Sequence, residues 1–137
     1  MTRLSNQLIG ASVLSLSLSL ISSTAALAAL REGLEIAGSS GQHLWDAELH
    51  RLTGTVLLAE NKLDEGHASL QQAIRTAQTQ QAKSLELRAA TSLARLWGEQ
   101  GRRAEARDLL APVYGWFTEG FDTPDLKEAK ALLDELT

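Results

Sequence analysis

The sequence predicts an all-α fold: antiparallel helical hairpins stacked as a short solenoid and closed by a C-terminal capping helix. Three observations carry that expectation. Apolar residues recur at steps of three and four through most of the chain. The chain resembles itself at a shift of 40 residues, which lines up Ala26, Gly66 and Ala106, then Leu30, Leu70 and Leu110. Hydrophobic residues make up 44%, charged residues 22%, and there are only two prolines, a balance suited to packed helices rather than to a disordered chain. A length of 137 residues fits one modest domain, and the pattern divides it into an apolar segment over 1–22 and a helical-repeat domain over 23–137.

The first segment has the layout of a secretory signal. Met1 to Gln7 is a short basic start, Leu8 to Ile21 an apolar run, and Ala26-Leu-Ala28 a set of small residues of the kind found at cleavage sites. No charge falls between Arg3 and Arg31, so the stretch is also long enough for an uncleaved anchor, and residues 8–30 are where a membrane contact is expected. The repeat register, however, runs into the leader. Leu30-Arg-Glu-Gly-Leu-Glu-Ile-Ala37 falls on Leu70-Gln-Gln-Ala-Ile-Arg-Thr-Ala77, which predicts a helix from about Ser23 to Ala37 as half of an earlier repeat. Export or anchoring and cytoplasmic residence both follow from one half of this pattern.

Two full hairpins come next. Gly38-Ser-Ser-Gly41 predicts a turn, and a helix is expected from about His43 to Ala59 with Leu44, Trp45, Leu49, Leu52, Val56 and Leu57 as its apolar set. Glu60-Asn-Lys-Leu63 predicts the hairpin turn, with Asp64 as N-cap of a helix to about Thr79. The central pair spans 83–121. Leu85, Ala89, Leu93, Leu96 and Trp97 mark one apolar face, Gly101 supplies a residue tolerant of positive φ, and Ala106, Leu109, Leu110 and Val113 give the partner helix its own face. Pro112 lacks an N–H, so a bend or a restart at Ala111 is expected. The aromatic residues that follow, Tyr114, Trp116, Phe117 and Phe121, are read as the seam that packs the last helix, with a ligand pocket as the alternative. Thr123 as N-cap, Pro124 at the first helical position and Leu126, Ala129, Leu132, Leu133 and Leu136 along one face predict the closing helix.

The positions of small and large residues within each pair resemble tetratricopeptide repeats. From Ala47 and from Leu87, the small Gly54 and Ala94, the large Leu57 and Trp97, the turn residues Asn61 and Gly101, the small Gly66 and Ala106 and the large Leu70 and Leu110 fill that family's pattern. The spacing between pairs departs from it, since the family repeats at about 34 residues. Longer stretches resemble the C-terminal tail of large bacterial proteins built from a class III adenylate cyclase domain, an ATPase domain and tetratricopeptide repeats: Asp46-Ala-Glu-Leu-His-Arg-Leu-Thr-Gly54, Leu85 to Trp97 and Gln100 to Leu126. The chain has no phosphate-cradling Gly-x-x-x-x-Gly-Lys-Ser/Thr loop and no cyclase metal-binding segment. The resemblance therefore implies a stand-alone relative or remnant of the sensor tail without the enzyme.

Little else points to chemistry. No cysteine is present, which removes thiolate ligands and a cysteine nucleophile together. A net charge of −4 and the interleaving of Arg102, Arg103 and Arg107 with Glu105 and Asp108 argue against a phosphate-tracking surface. His43, Asp46 and His50 share a helix face but lack an evident fourth ligand, so no metal and no cofactor is expected. The tetratricopeptide resemblance implies a groove lined by the first helix of each hairpin, and its positions fall on Glu48, Arg51, Leu52 and Thr55, then on Arg88, Thr91, Ser92 and Arg95. Three arginines there suit a partner's carboxylates, either a peptide terminus or an acidic motif. The expected function is non-catalytic binding of a protein or peptide; an exported or anchored adaptor and a non-functional gene fragment are the other readings.

Overall fold

A computed structural model describes residues 23–137. The signal-like or anchor segment read over 1–22 lies outside the described residues. Six helices follow one another within them: α1 (23–40), α2 (Asp46–Ala59), α3 (Leu63–Thr79), α4 (Lys83–Glu99), α5 (Arg103–Gly115) and α6 (Pro124–Leu136). The described residues are all-α, and their helices pack as antiparallel hairpins in a short helical-repeat arrangement. α2 packs on α3, α4 on α5, and α3 on α4, while α6 closes against both α4 and α5. The contacts of α2 with α4 and of α4 with α6 make these three an inner row. Among the described residues no helix is long and apolar enough to cross a membrane.

Three joints share one backbone solution. The chain reverses through a residue of positive φ at Asn61 (63°), Gln81 (55°) and Gly101 (80°). At each joint the following N–H reaches back to the last turn of the helix: Lys62 to Leu57 O at 2.9 Å, Ala82 to Ala77 O at 2.9 Å, and Arg102 to Trp97 O at 2.8 Å. This is the Schellman arrangement, which satisfies carbonyls that the helix end would leave bare. Positive φ also recurs at Gly41, so the geometric step is half the 40-residue period read from the sequence. Helix starts differ from expectation in detail. α2 begins at Asp46 rather than His43, and α3 at Leu63, with no side chain capping either one. Thr123 has the extended backbone of an N-cap, but its hydroxyl donates to Gly120 O at 2.7 Å instead.

Small residues set the closeness of the packing. At the α2–α3 crossing a Cβ on Gly54 would lie 3.1 Å from the Gly66 carbonyl oxygen, and one on Gly66 would lie 3.2 Å from that of Gly54. Ala89, Ala90, Ala94, Ala106 and Ala129 are buried along α4, α5 and α6, which accounts for the alanine-rich sequence. Larger side chains fill two clusters. Leu70, Ile74, Leu93 and Leu96 join α3 to α4, and Leu87, Leu110, Val113, Leu126, Leu132 and Leu136 join α4, α5 and α6. Trp97 and Leu109 touch both clusters. Each buried leucine contributes about 1.5–3 kcal/mol, so α4, with a face in each cluster, is the element the others depend on.

α5 runs through Pro112 without a break. Pro112 and Asp108 are both exposed, so the helix loses its donor to the Asp108 carbonyl on a side where water replaces it. The aromatic group after it divides in two. Tyr114 and Phe117 pack against the core, as the seam reading expects, whereas Trp116 and Phe121 remain exposed.

Candidate functional site

Six of the eight predicted groove residues line one cavity of about 240 Å³: Arg51 and Thr55 from α2, and Arg88, Thr91, Ser92 and Arg95 from α4. Helical spacing brings them there. On α4, Arg88, Ser92 and Arg95 lie at steps of four and three on the face opposite Ala89, Leu93 and Ala90. The other two predicted residues are placed differently. Glu48 stands behind the cavity against the arginines, and Leu52 is exposed without lining it.

Two residues that the groove positions did not include complete the wall, Asp125 and Glu128 of α6. They meet the arginines directly. Arg88 donates Nε–H to Asp125 Oδ2 at 2.8 Å, and Arg95 donates Nη2–H to Glu128 Oε1 at 2.6 Å. Arg51 takes Glu48 in a fork, Nε to Oε2 at 3.0 Å and Nη2 to Oε1 at 2.6 Å, while Arg88 Nη1 stands 3.5 Å from the same carboxylate. The hydrogen bond from Arg51 holds the Glu48 carboxyl below its usual pKa against the opposing effect of burial. The hydrogen bond from Asp125 raises the pKa of Arg88. The sequence did carry a signal for the two carboxylates. Asp125 and Glu128 are at i and i+3 on a helix whose apolar face was evident, so they had to share an edge beside it.

The hydroxyls form the floor. Thr91 is buried and donates to Leu87 O at 2.7 Å, Ser92 donates to Arg88 O at 3.1 Å, and Thr55 to Arg51 O at 3.0 Å. Their protons are committed within the helices, so each oxygen offers only acceptor capacity to the cavity. The guanidiniums are the donors. Their three positive charges meet three carboxylates, Asp125 and Glu128 in the wall and Glu48 behind it, so the row is balanced in charge while several of its N–H groups have no protein acceptor.

The cavity opens at both ends into less polar space. Thr55, Ser92 and Arg95 are shared with a second hollow of about 310 Å³, walled by Leu58, Ala59, Leu63 and Leu96. Asp125 is shared with a third of about 240 Å³, walled by Leu87, Phe117 and Leu126. Both hollows mix apolar walls with charge, Arg95 and Glu99 in the second and Glu119 and Asp125 in the third, and with the central cavity they make a groove that follows α4.

His43, Asp46 and His50 do not gather around a point. His43 Nδ1 lies 2.7 Å from Asp46 Oδ2, and among the described residues no group of three or more His, Asp or Glu side chains is placed to hold a metal ion. No family model, curated protein or solved structure matches the chain.

Proposed function

We propose that the chain is a protein-interaction module of the tetratricopeptide type, which acts by holding a segment of a partner protein in the groove between α2, α4 and α6. The observation that carries this reading is the convergence of Arg51, Arg88 and Arg95, from two helices, on one open cavity with a partly apolar hollow on either side. Such a surface offers charge-assisted hydrogen bonds for orientation and apolar hollows for affinity. The resemblance of the paired helices to the sensor tail of cyclase-type regulators points the same way, toward a binding part rather than an enzyme.

The test is a random peptide array probed with the full chain and with two variants. Thr55 is exposed at the meeting point of the central and second hollows, so Thr55→Trp fills the groove while leaving the core intact. Arg75→Ala changes an exposed side chain of the outer helix α3. Peptide binding that survives Arg75→Ala and disappears with Thr55→Trp is the expected result. Binding that is indifferent to Thr55→Trp overturns the reading.

A further inference from the structure

A separate pocket lies where α3 hands over to α4. Gln78, Gln81, Lys83, Glu86 and Trp116 line a cavity of about 540 Å³, and none of them borders the groove. That volume is within the ~300–1,000 Å³ of small-molecule sites. Glu86 is only 4% exposed, an unusual burial for a carboxylate. One donor holds each of its oxygens: Gln78 Nε2–H to Oε1 at 3.3 Å, and Lys83 Nζ to Oε2 at 3.1 Å. Both oxygens keep further acceptor capacity, and the ammonium has two more N–H groups than this bond uses.

Gln81 and Trp116 supply the other walls. Gln81 holds φ at 55°, a region that Asn61 and Gly101 enter readily at the other joints and glutamine does not. Its side chain has no hydrogen-bond partner among the described residues. Strained backbone at a pocket wall points to a use for the side chain it carries. Trp116 is 58% exposed, and the partly buried Phe117 fixes its orientation by meeting it edge to face, with centroids 5.2 Å apart at 85°. Lys83 Nζ stands 5.7 Å from the indole centroid, near the ~6 Å limit of a cation–π contact, so it does not cover the ring.

These groups select by charge and by hydrogen bonding. The pocket's cation and anion are bonded to each other, so a charged ligand that gains from one is repelled by the other. A neutral ligand meets no such conflict. It must offer donors to Glu86, acceptors to Lys83 and the Gln81 amide, and an apolar face to Trp116. Hydroxyls on adjacent carbons donate and accept at once, and the C–H face of a sugar ring suits the negative face of an indole. A nucleobase also stacks, but each of its edge groups has one fixed role in the ring plane.

We infer that this pocket binds a neutral saccharide, stacked on Trp116 with its hydroxyls on Glu86, Lys83 and Gln81. The site is additional to the peptide groove and stands or falls without it.

The experiment applies the fluorescently labelled full chain to an array of neutral oligosaccharides, with sialylated oligosaccharides, amino-sugar oligosaccharides and nucleosides as comparison spots. The strongest retention is expected on neutral sugars. Trp116→Ala should weaken it about tenfold, and Gln81→Gly about fivefold. Because Gln81→Gly also relieves the backbone at that joint, a thermal melt should show it at least as stable as the wild type. Its weaker binding then reports the lost amide rather than a damaged fold. Trp45→Ala removes the other exposed tryptophan, which lies outside the pocket, and Thr55→Trp fills the groove; both should bind sugar as the wild type does. Retention on no neutral sugar, or equal retention on charged sugars or nucleosides, overturns the inference. So does sugar binding that ignores Trp116→Ala and Gln81→Gly, or that is lost with Thr55→Trp. None of these results touches the groove reading, which the peptide array decides.

Discussion

The indole of Trp97 donates its Nε1–H to His67 Nε2 at 3.1 Å, with the ring centroids 5.9 Å apart. This one bond ties the outer helix α3 to the inner helix α4, and it does so at the residue that bridges both core clusters. The guanidinium of Arg102 lies 4.5 Å from the centroid of the same indole, so the ring is held through both its edge and its face. His67 accepts only as neutral imidazole with its proton on Nδ1. His67→Phe keeps the ring packing and removes the acceptor. It is expected to cost about 1–2 kcal/mol in urea unfolding, whereas His67→Gln, which retains an acceptor, costs less. Equal losses from the two variants would show that ring volume, not the hydrogen bond, matters here.

Acid should weaken the fold in two separate steps. Burial lowers the pKa of His50, with the Asp46 charge opposing, and the Arg51 hydrogen bond lowers that of Glu48. For His50 the folded state prefers the neutral ring. Stability is therefore full above the unfolded value of about 6.5 and declines as pH falls through it. For Glu48 the folded state prefers the carboxylate, so its contribution is present above about 4.3 and is lost as pH falls below it. Urea midpoints measured from pH 8 to pH 3 are expected to decline in both windows. His50→Gln flattens the upper step and Glu48→Gln the lower one. A midpoint constant from pH 8 to pH 5 would contradict the His50 assignment.

Glycines inside helices separate by what surrounds them. A Cβ on Gly54 would come 2.9 Å from Leu70 Cγ and 3.1 Å from the Gly66 carbonyl oxygen, and backbone cannot yield as a side-chain tip does. One on Gly33 meets only the methyl groups of Leu49 at 3.5 Å, an ordinary contact. Gly54→Ala should lose about 1–3 kcal/mol through overpacking at the α2–α3 crossing. Gly33→Ala should gain up to about 1 kcal/mol from helix propensity. Thermal melts of the pair with opposite shifts in Tm would locate the tight crossing; a gain in both would place it elsewhere.

The joints give a third contrast. Gln81 holds positive φ without being glycine, and Gly101 holds it at the next joint, one helix later. A side chain in that region costs about 1–2 kcal/mol. Gln81→Gly is thus expected to stabilise by up to about 1 kcal/mol, and Gly101→Ala to destabilise by about the same amount. Denaturant midpoints check both.

The hairpins were legible in the sequence because helix periodicity and small-residue spacing both report burial directly. Leu70, Leu110, Ala73 and Ala106, fully buried in the fold, are among the residues that the 40-residue shift brings into register. The joints were legible only in part. Gly101 announces a positive φ, but Gln81 does not, since nothing in a glutamine marks it for that conformation and the Schellman bonds at Ala82 and Lys62 are made by backbone. The arginine row could be placed, but its neutralisation could not. That depends on α6 crossing α4 so that Asp125 meets Arg88 and Glu128 meets Arg95, a relation between helices 33 and 37 residues apart. Pro112 signalled a bend or a restart at Ala111, and the restart does not occur, because on the exposed side of α5 water can take the carbonyl that the proline leaves without a donor.

That neutralisation makes the closing helix part of the groove's affinity. Glu128 occupies Arg95 as a tethered carboxylate, so any acidic ligand must compete with it. An exposed pair of this kind is worth about 0.2–1 kcal/mol. Removing its negative charge should therefore tighten binding of an acidic peptide by up to about fivefold. Glu128→Gln retains the side-chain length and leaves α6 anchored by Leu126, Ala129, Leu132 and Leu136, which are buried on its other face. Asp125→Asn is the less clean change, because Asp125 also sits in the first turn of α6, where a negative charge favours the helix itself. Anisotropy titrations of an acidic peptide selected from the array against the wild type and Glu128→Gln, at low and at high salt, separate the effects. Tightening at low salt that fades at high salt is the expected outcome, because competition between exposed charges is screened. Unchanged affinity at both would mean that the ligand carboxylate does not reach Arg95.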